Sequence, residues 1–169
     1  MEVNKIPNIL AYENETGCCP ILKPEEWDDK KFVFDKKLFA LGKTINLLHM
    51  PLNMAGMMTK SWKKITDAKA DSKNEFILLS YDPSAWRGEH YFSVTKKVPG
   101  MEMSEISGTF ITKVFEGPYK DAGKWVKEME KFVKSKNEKL KKLYLFYTTC
   151  PKCAKHYGKN YTVGFAEIS

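Results

Sequence analysis

The sequence predicts an α+β domain of two similar β-α-β-β halves, and three observations predict it. Pro51-Leu-Asn-Met-Ala-Gly56 and Pro118-Tyr-Lys-Asp-Ala-Gly123 share the pattern P-x-x-x-A-G at an offset of 67 residues. The same offset lays Phe76-Ile-Leu-Leu79 over Leu143-Tyr-Leu-Phe146, two apolar runs of strand type. Gly88-Glu-His-Tyr91 then matches Gly158-Lys-Asn-Tyr161 at an offset of 70, which gives the second half three extra residues before its last strand. Matches that also keep element order indicate an internal duplication, with repeat 1 over about 38–97 and repeat 2 over about 105–168. Residues 1–30 match nothing in the second half and form an N-terminal extension to a single domain over 31–169.

Each element follows from local chemistry. The opening strands, about 38–48 and 105–115, mix apolar residues with Gly, Ser and Thr. Proline then falls in the first helical turn, where its missing N–H costs nothing. In the first helix Met54, Met58, Trp62 and Ile65 share a face, as do Tyr119, Ala122, Val126, Met129 and Val133 in the second. The Ala-Gly pairs remove bulk near each helix start, which predicts close helix packing there. Two strands close each half, about 75–82 with 89–97 and about 142–149 with 159–168. Along 89–97, Phe92 and Val94 point one way while Glu89, Tyr91, Ser93 and Thr95 point the other. The prediction is an antiparallel sheet with two helices on one face and, on the other, a groove for a small-molecule ligand.

Bulk composition narrows the function classes. A chain of 169 residues is the size of one domain. It has no apolar run of bilayer-spanning length, and its polar N-terminus is unlike a secretory signal. A cytoplasmic protein is expected, with reduced cysteines unless they hold metal. The net charge is +7, and lysines crowd Lys124–Lys142. Arg87 is the single arginine, whereas a nucleic-acid reader interleaves arginine and exposed aromatics with its lysines. The lysines therefore read as a solvated helix face rather than a nucleic-acid surface.

No Ser-His-Asp motif, glycine-rich phosphate loop or His-Glu metal motif stands in the sequence. A hydrolytic reading instead needs a carboxylate in an apolar groove and a hydroxyl donor beside it. Glu89 and Tyr147 are the candidate catalytic pair, with Tyr91 and Tyr161 lining the groove and Trp86 stacking on a planar ligand. His49 and His90 read as satisfied structural histidines. Cys150-Pro-Lys-Cys153, placed in a hairpin loop, has the spacing of a zinc knuckle, and Cys18 and Cys19 supply two further thiolates for a Zn site. A reversible disulfide and plain thiols are the other readings of these cysteines. A zinc- or thiol-dependent structural or redox switch is the alternative function.

The β-α-β-β order, with Val114-Phe-Glu-Gly-Pro-Tyr119 leading into the second helix, resembles the GyrI-like superfamily of small-molecule-binding domains over about 38–168. The run Phe146–Tyr161, with its Thr-Thr-Cys-Pro-Lys-Cys core, is similar to a hydrolase-labelled subgroup of it. The resemblance implies a concave apolar site that sequesters lipophilic, planar or cationic compounds or hydrolyses strained cyclopropane rings. Many members carry a cation-neutralising glutamate where this chain has Leu145, so the resemblance places Leu145 at the ligand and leaves Glu89 to supply the carboxylate.

Overall fold

The computed structural model describes residues 2–169. Apolar residues at alternate positions shape the strands β1 (Lys31–Leu47), β3 (Leu78–Ser84), β4 (Arg87–Ser93), β5 (Glu102–Glu116), β6 (Leu140–Tyr147) and β7 (Tyr161–Ile168). A two-residue strand, β2 (Met50–Pro51), folds back on the end of β1 through a turn at Leu48 and His49, both at positive φ. Amphipathic periodicity shapes α1 (Met54–Asp67) and α2 (Ala122–Ser135). A short helix, α3 (Pro151–Tyr157), lies between β6 and β7.

The strands pair antiparallel in the order β1-β4-β3-β6-β7-β5, and β5 pairs again with β1, so the sheet closes into a barrel-like ring. Closure between β3 and β6 is slight, through the single pair Ser80 and Leu145. β1 and β5 are long enough to bend around the ring, and β1 carries an irregularity between Phe34 and Lys37 where Lys36 takes a positive φ.

The helices pack outside the ring. Under α1 lie Ala40, Phe92 and Val94, met by Met57 and Ile65. Under α2 lie Ile111, Phe115 and Ala166, met by Trp125, Met129 and Val133. Trp125 thus takes the buried place expected for Val126, which is 36% exposed. The Ala-Gly pairs do not bring the helices close, because a Cβ on Gly56 or Gly123 would meet nothing within 4 Å. Close approach falls instead on strand glycines: a Cβ on Gly42 would lie 2.5 Å from Met57 Sδ, and one on Gly164 2.6 Å from Met129 Sδ.

The face expected to hold an open groove is the interior of the ring, and it is filled. Phe34, Phe39, Phe110, Phe146 and Phe165 pack there with Leu79, Tyr91 and Tyr144. The N-terminal extension completes this core with Ile6, Ile9, Tyr12, Leu22 and Trp27, the last wholly buried. Trp27 packs against Phe32, Phe146 and Phe165. The physical reason is volume: rings of this size on one face of a strongly curled sheet need an apolar partner, and the extension supplies it.

The offset of 70 for the closing strands is also corrected. Leu79 pairs with Tyr91 and Phe146 with Val163, so with Leu79 set over Phe146 the last strands correspond at an offset of 72. The extra residues fall in the connection that holds α3, a helix in place of the expected hairpin loop.

Candidate functional site

Strand alternation separates the candidate residues into two groups. Tyr91 and Tyr161 pack with the interior core, and Glu89 shares their side, its carboxylate accepting a hydrogen bond from Tyr91 Oη at 2.7 Å. Burial and that hydrogen bond push the Tyr91 phenol well above its ordinary pKa. Lys142 Nζ lies over the rings of Tyr81, Tyr91 and Tyr144, at 4.1, 5.6 and 4.9 Å from their centroids. Tyr161 is half-buried at a separate cleft of about 350 Å³ lined by Pro24, Glu25, Asp28, Val114 and Glu116.

Tyr147 and Leu145 lie on the opposite, helix-bearing side. Tyr147 packs with the α2 cluster and against the Tyr119 ring, with centroids 5.8 Å apart. Burial pushes its phenol up to about 12. Glu89 and Tyr147 are therefore on different faces, because position 147 has the parity of 143 and 145 in β6 while Tyr144 and Phe146 face inward. Trp86 stands in the turn between β3 and β4, 57% exposed.

Between the two helix clusters runs a polar strip that sequence reasoning missed. Thr44 and Asn46 of β1, His90 of β4, and Ser80 and Asp82 of β3 share the helix-bearing side. His90 Nδ1 is 2.8 Å from Ser80 Oγ and His90 Nε2 is 3.0 Å from Thr44 Oγ1. Thr44 donates to Asn46 Oδ1 at 2.9 Å, and Asn46 Nδ2 donates to Asp82 Oδ1 at 3.2 Å. These bonds fix every proton in turn. The Asp82 carboxylate orients the Asn46 amide, whose oxygen takes the Thr44 hydroxyl proton. Thr44 is left to accept from His90 Nε2–H, so the Nδ1 lone pair faces Ser80, whose hydroxyl donates to it. Burial lowers the His90 pKa to about 4, so the ring is a neutral acceptor near pH 7. Gly88 makes room for the chain, since a Cβ there would lie 2.3 Å from Thr44 Oγ1 and 3.0 Å from His90 Nε2.

Ser80 is half-buried and His90 buried. A serine hydroxyl bonded to a neutral, oriented imidazole has the arrangement of an activated nucleophile, with a base and an orienting group behind it. Across from Ser80 stands Leu145, and Tyr147 is its diagonal neighbour on the same side, roughly 7–8 Å away by antiparallel sheet geometry. Thr162 Oγ1, on the same side of β7 and fully buried, has no hydrogen-bond partner among the described residues. The signal for this site was the cross-strand pairing of Ser80 with His90. Linear sequence shows neither that pairing nor the contact of Thr44 with His90.

The cysteines come together as the spacing suggested. The Sγ atoms of Cys18, Cys19, Cys150 and Cys153 all lie within 4.8 Å of one another, and all four are free thiols. Cys150-Pro-Lys-Cys153 does not sit in a loop, however; it opens α3, with proline in the first turn. His49 bonds to Asp82, and His156 to Glu15, outside this cluster.

Among solved structures the fold is similar to an uncharacterized conserved protein from Listeria innocua, at a TM-score of 0.61 and 10% identity, covering 84% of this chain and 92% of that one. It is also similar to a hydrolase from Listeria innocua, at a TM-score of 0.59 and 11% identity, covering 85% and 92%. A further Listeria innocua hydrolase matches at a TM-score of 0.55 and 12% identity, covering 84% and 92%. No curated protein matches the chain. At these identities the likeness is one of fold. The sequence itself matches the family described as bacterial hydrolase over residues 9–168, and the chain belongs to that family.

Proposed function

We propose that the protein hydrolyses a lipophilic acyl compound, an ester or thioester, in the strip between α1 and α2. Ser80 is the nucleophile, His90 the base, and Thr44, Asn46 and Asp82 orient the imidazole. The observation that carries this reading is the 2.8 Å contact of Ser80 Oγ with His90 Nδ1, in the tautomer fixed by Thr44. Ser80 Oγ attacks the acyl carbon while His90 Nδ1 takes its proton. The same proton then passes to the departing alcohol or thiol, and water repeats the sequence to release the acid. The Tyr147 hydroxyl, which burial keeps protonated, supplies a donor on the same side of the sheet for the developing oxyanion.

An exposed apolar rim stands at one end of the strip. Ile45, Leu47, Leu48, Met50 and Leu52 are exposed on the β1–β2 hairpin, which is held to the Trp86 turn by the bonds from His49 N to Ala85 O and Asn46 N to Trp86 O. By register Ile45, Leu47, Met50 and Leu52 share one side of this ribbon and Thr44 and Asn46 the other, so the rim flanks the Asn46 end of the strip from across the ribbon. The GyrI-like reading put the ligand on the face away from the helices; that face is the packed interior, so the proposed substrate lies on the helix-bearing side instead.

The Tyr91–Glu89 bond beside Lys142 supports a second reading. Glu89 there directs water onto a strained, cyclopropane-containing ligand. One pair of variants separates the two. With p-nitrophenyl esters of increasing chain length, Ser80→Ala is expected to lower kcat by at least about 10²-fold at an unchanged melting temperature, and Glu89→Gln to leave it intact. Loss of turnover in Glu89→Gln alone transfers the chemistry to Glu89. Full activity in both variants removes both readings.

A further inference from the structure

We propose that Cys18, Cys19, Cys150 and Cys153 form a structural tetrathiolate zinc site that fastens the N-terminal extension to the start of α3. Nothing in the hydrolytic site requires these residues, and the inference stands apart from it.

The geometry is that of a ligand shell. A tetrahedral site with Zn–S near 2.3 Å has S···S edges of about 3.8 Å. The Sγ atoms of Cys18 and Cys19 are 3.7 Å apart, and all four Sγ atoms lie within 4.8 Å of each other. Neighbouring cysteines normally diverge along extended backbone. Here Gly17, at a φ of +69°, turns the chain just before them, and Thr16 Oγ1 accepts from the N–H groups of both Cys18 and Cys19. The vicinal thiols are thereby aimed at one point.

The surrounding bonds also suit thiolates. Cys150 N–H donates to Cys19 Sγ at 3.4 Å, and Thr16 Oγ1 is 3.2 Å from Cys153 Sγ. Both are the outer contacts that orient and stabilise anionic sulfur. Tyr157 Oη donates to Cys19 O at 2.6 Å, so α3 grips the backbone of the loop as well. The loop itself is closed by Ile21 N–H donating to Glu13 O at 2.8 Å. The shell is complete with four protein sulfurs and has no place for water or substrate, which makes it structural rather than catalytic. Loading replaces four S–H protons with one Zn²⁺, leaving a dianionic centre and involving no oxidant.

The consequence is mechanical. Residues 13–22 carry little of the apolar core beyond Leu22, whereas residues on either side, Tyr12 and Trp27, are buried in the ring. Zinc therefore holds the one polar stretch of the extension that packing does not.

The test uses the full chain purified without chelator under reducing conditions. About one equivalent of zinc per chain is expected, along with the visible spectrum of a tetrahedral thiolate complex on Co²⁺ substitution. Both should be lost in Cys18→Ser and in Cys150→Ser, with far-UV circular dichroism unchanged. Chelation should open residues 13–22 to limited proteolysis while the rest of the domain stays resistant. Less than about half an equivalent after zinc reconstitution, or an octahedral Co²⁺ spectrum, overturns the proposal. Full zinc binding by Cys18→Ser overturns it as well, since ligation would then exclude the extension. A chain that binds zinc but hydrolyses no ester leaves this site standing and removes only the hydrolytic reading.

Discussion

His90 shows how a single residue can be satisfied and poised at once. As the sequence suggested, it is a histidine with structural partners on both nitrogens. What the sequence could not show is that one partner is a serine half-open to solvent and the other a hydroxyl whose proton is already committed. The same burial that keeps the ring neutral near pH 7 makes it a cost in acid. Its pKa is near 6.5 in the unfolded chain and about 4 in the folded one, so between those values the unfolded state holds the extra proton. Stability should then fall as pH drops from about 6.5 to about 4, by roughly 1.4 kcal/mol per pH unit from this group, and its contribution should level off below. Denaturant melts of the wild type and His90→Gln across this range measure it. The wild type should lose about 3 kcal/mol more than the variant, and parallel pH profiles would show that His90 is not buried neutral.

At the level of elements, what was legible followed periodicity. The strand and helix order and the buried faces at Ile65, Met129 and Val133 come from spacing, but neither expected proline opens its helix: Pro51 ends β2, and Pro118 precedes a 3-10 turn, Tyr119–Asp121, ahead of α2. Packing decided what spacing could not. Trp125 displaced Val126 because a larger ring reaches Phe115, stacked at 5.8 Å. The glycines that matter for helix approach lie on the strands beneath, at Gly42 and Gly164. Helix α3 escaped notice because seven residues between cysteines and a glycine are too short to show a period. The N-terminal extension was legible only as unmatched sequence, yet it is an element of the core. Trp27→Ala, which empties a wholly buried site ringed by Phe32, Phe146 and Phe165, should cost about 3–5 kcal/mol in chemical denaturation. A loss under about 1 kcal/mol would mean that the extension is loosely held rather than part of the core.

Across the whole molecule, curling the sheet into a ring determines where chemistry can occur. Closure turns one face into a packed interior, and the two helices cover most of the other. Polar groups are left on that outer side along the seam near Ser80 and Leu145, where the halves meet by one pair. Candidate residues chosen by strand parity fell on both sides of this division, because parity tells which residues share a face but not which face is filled. That distinction depends on long-range closure between β1 and β5, for which local sequence carries no mark. The chain belongs to the bacterial hydrolase family, and the proposed place of hydrolysis is the Ser80–His90 contact at this seam. The most direct measurement is covalent capture: incubation with a fluorophosphonate probe, followed by peptide mapping by mass spectrometry. Nucleophilic attack by Ser80 predicts a phosphonyl adduct on that residue that is lost in His90→Gln. Ester hydrolysis proceeding with Ser80 unlabelled, or labelling that survives the loss of His90, would contradict it.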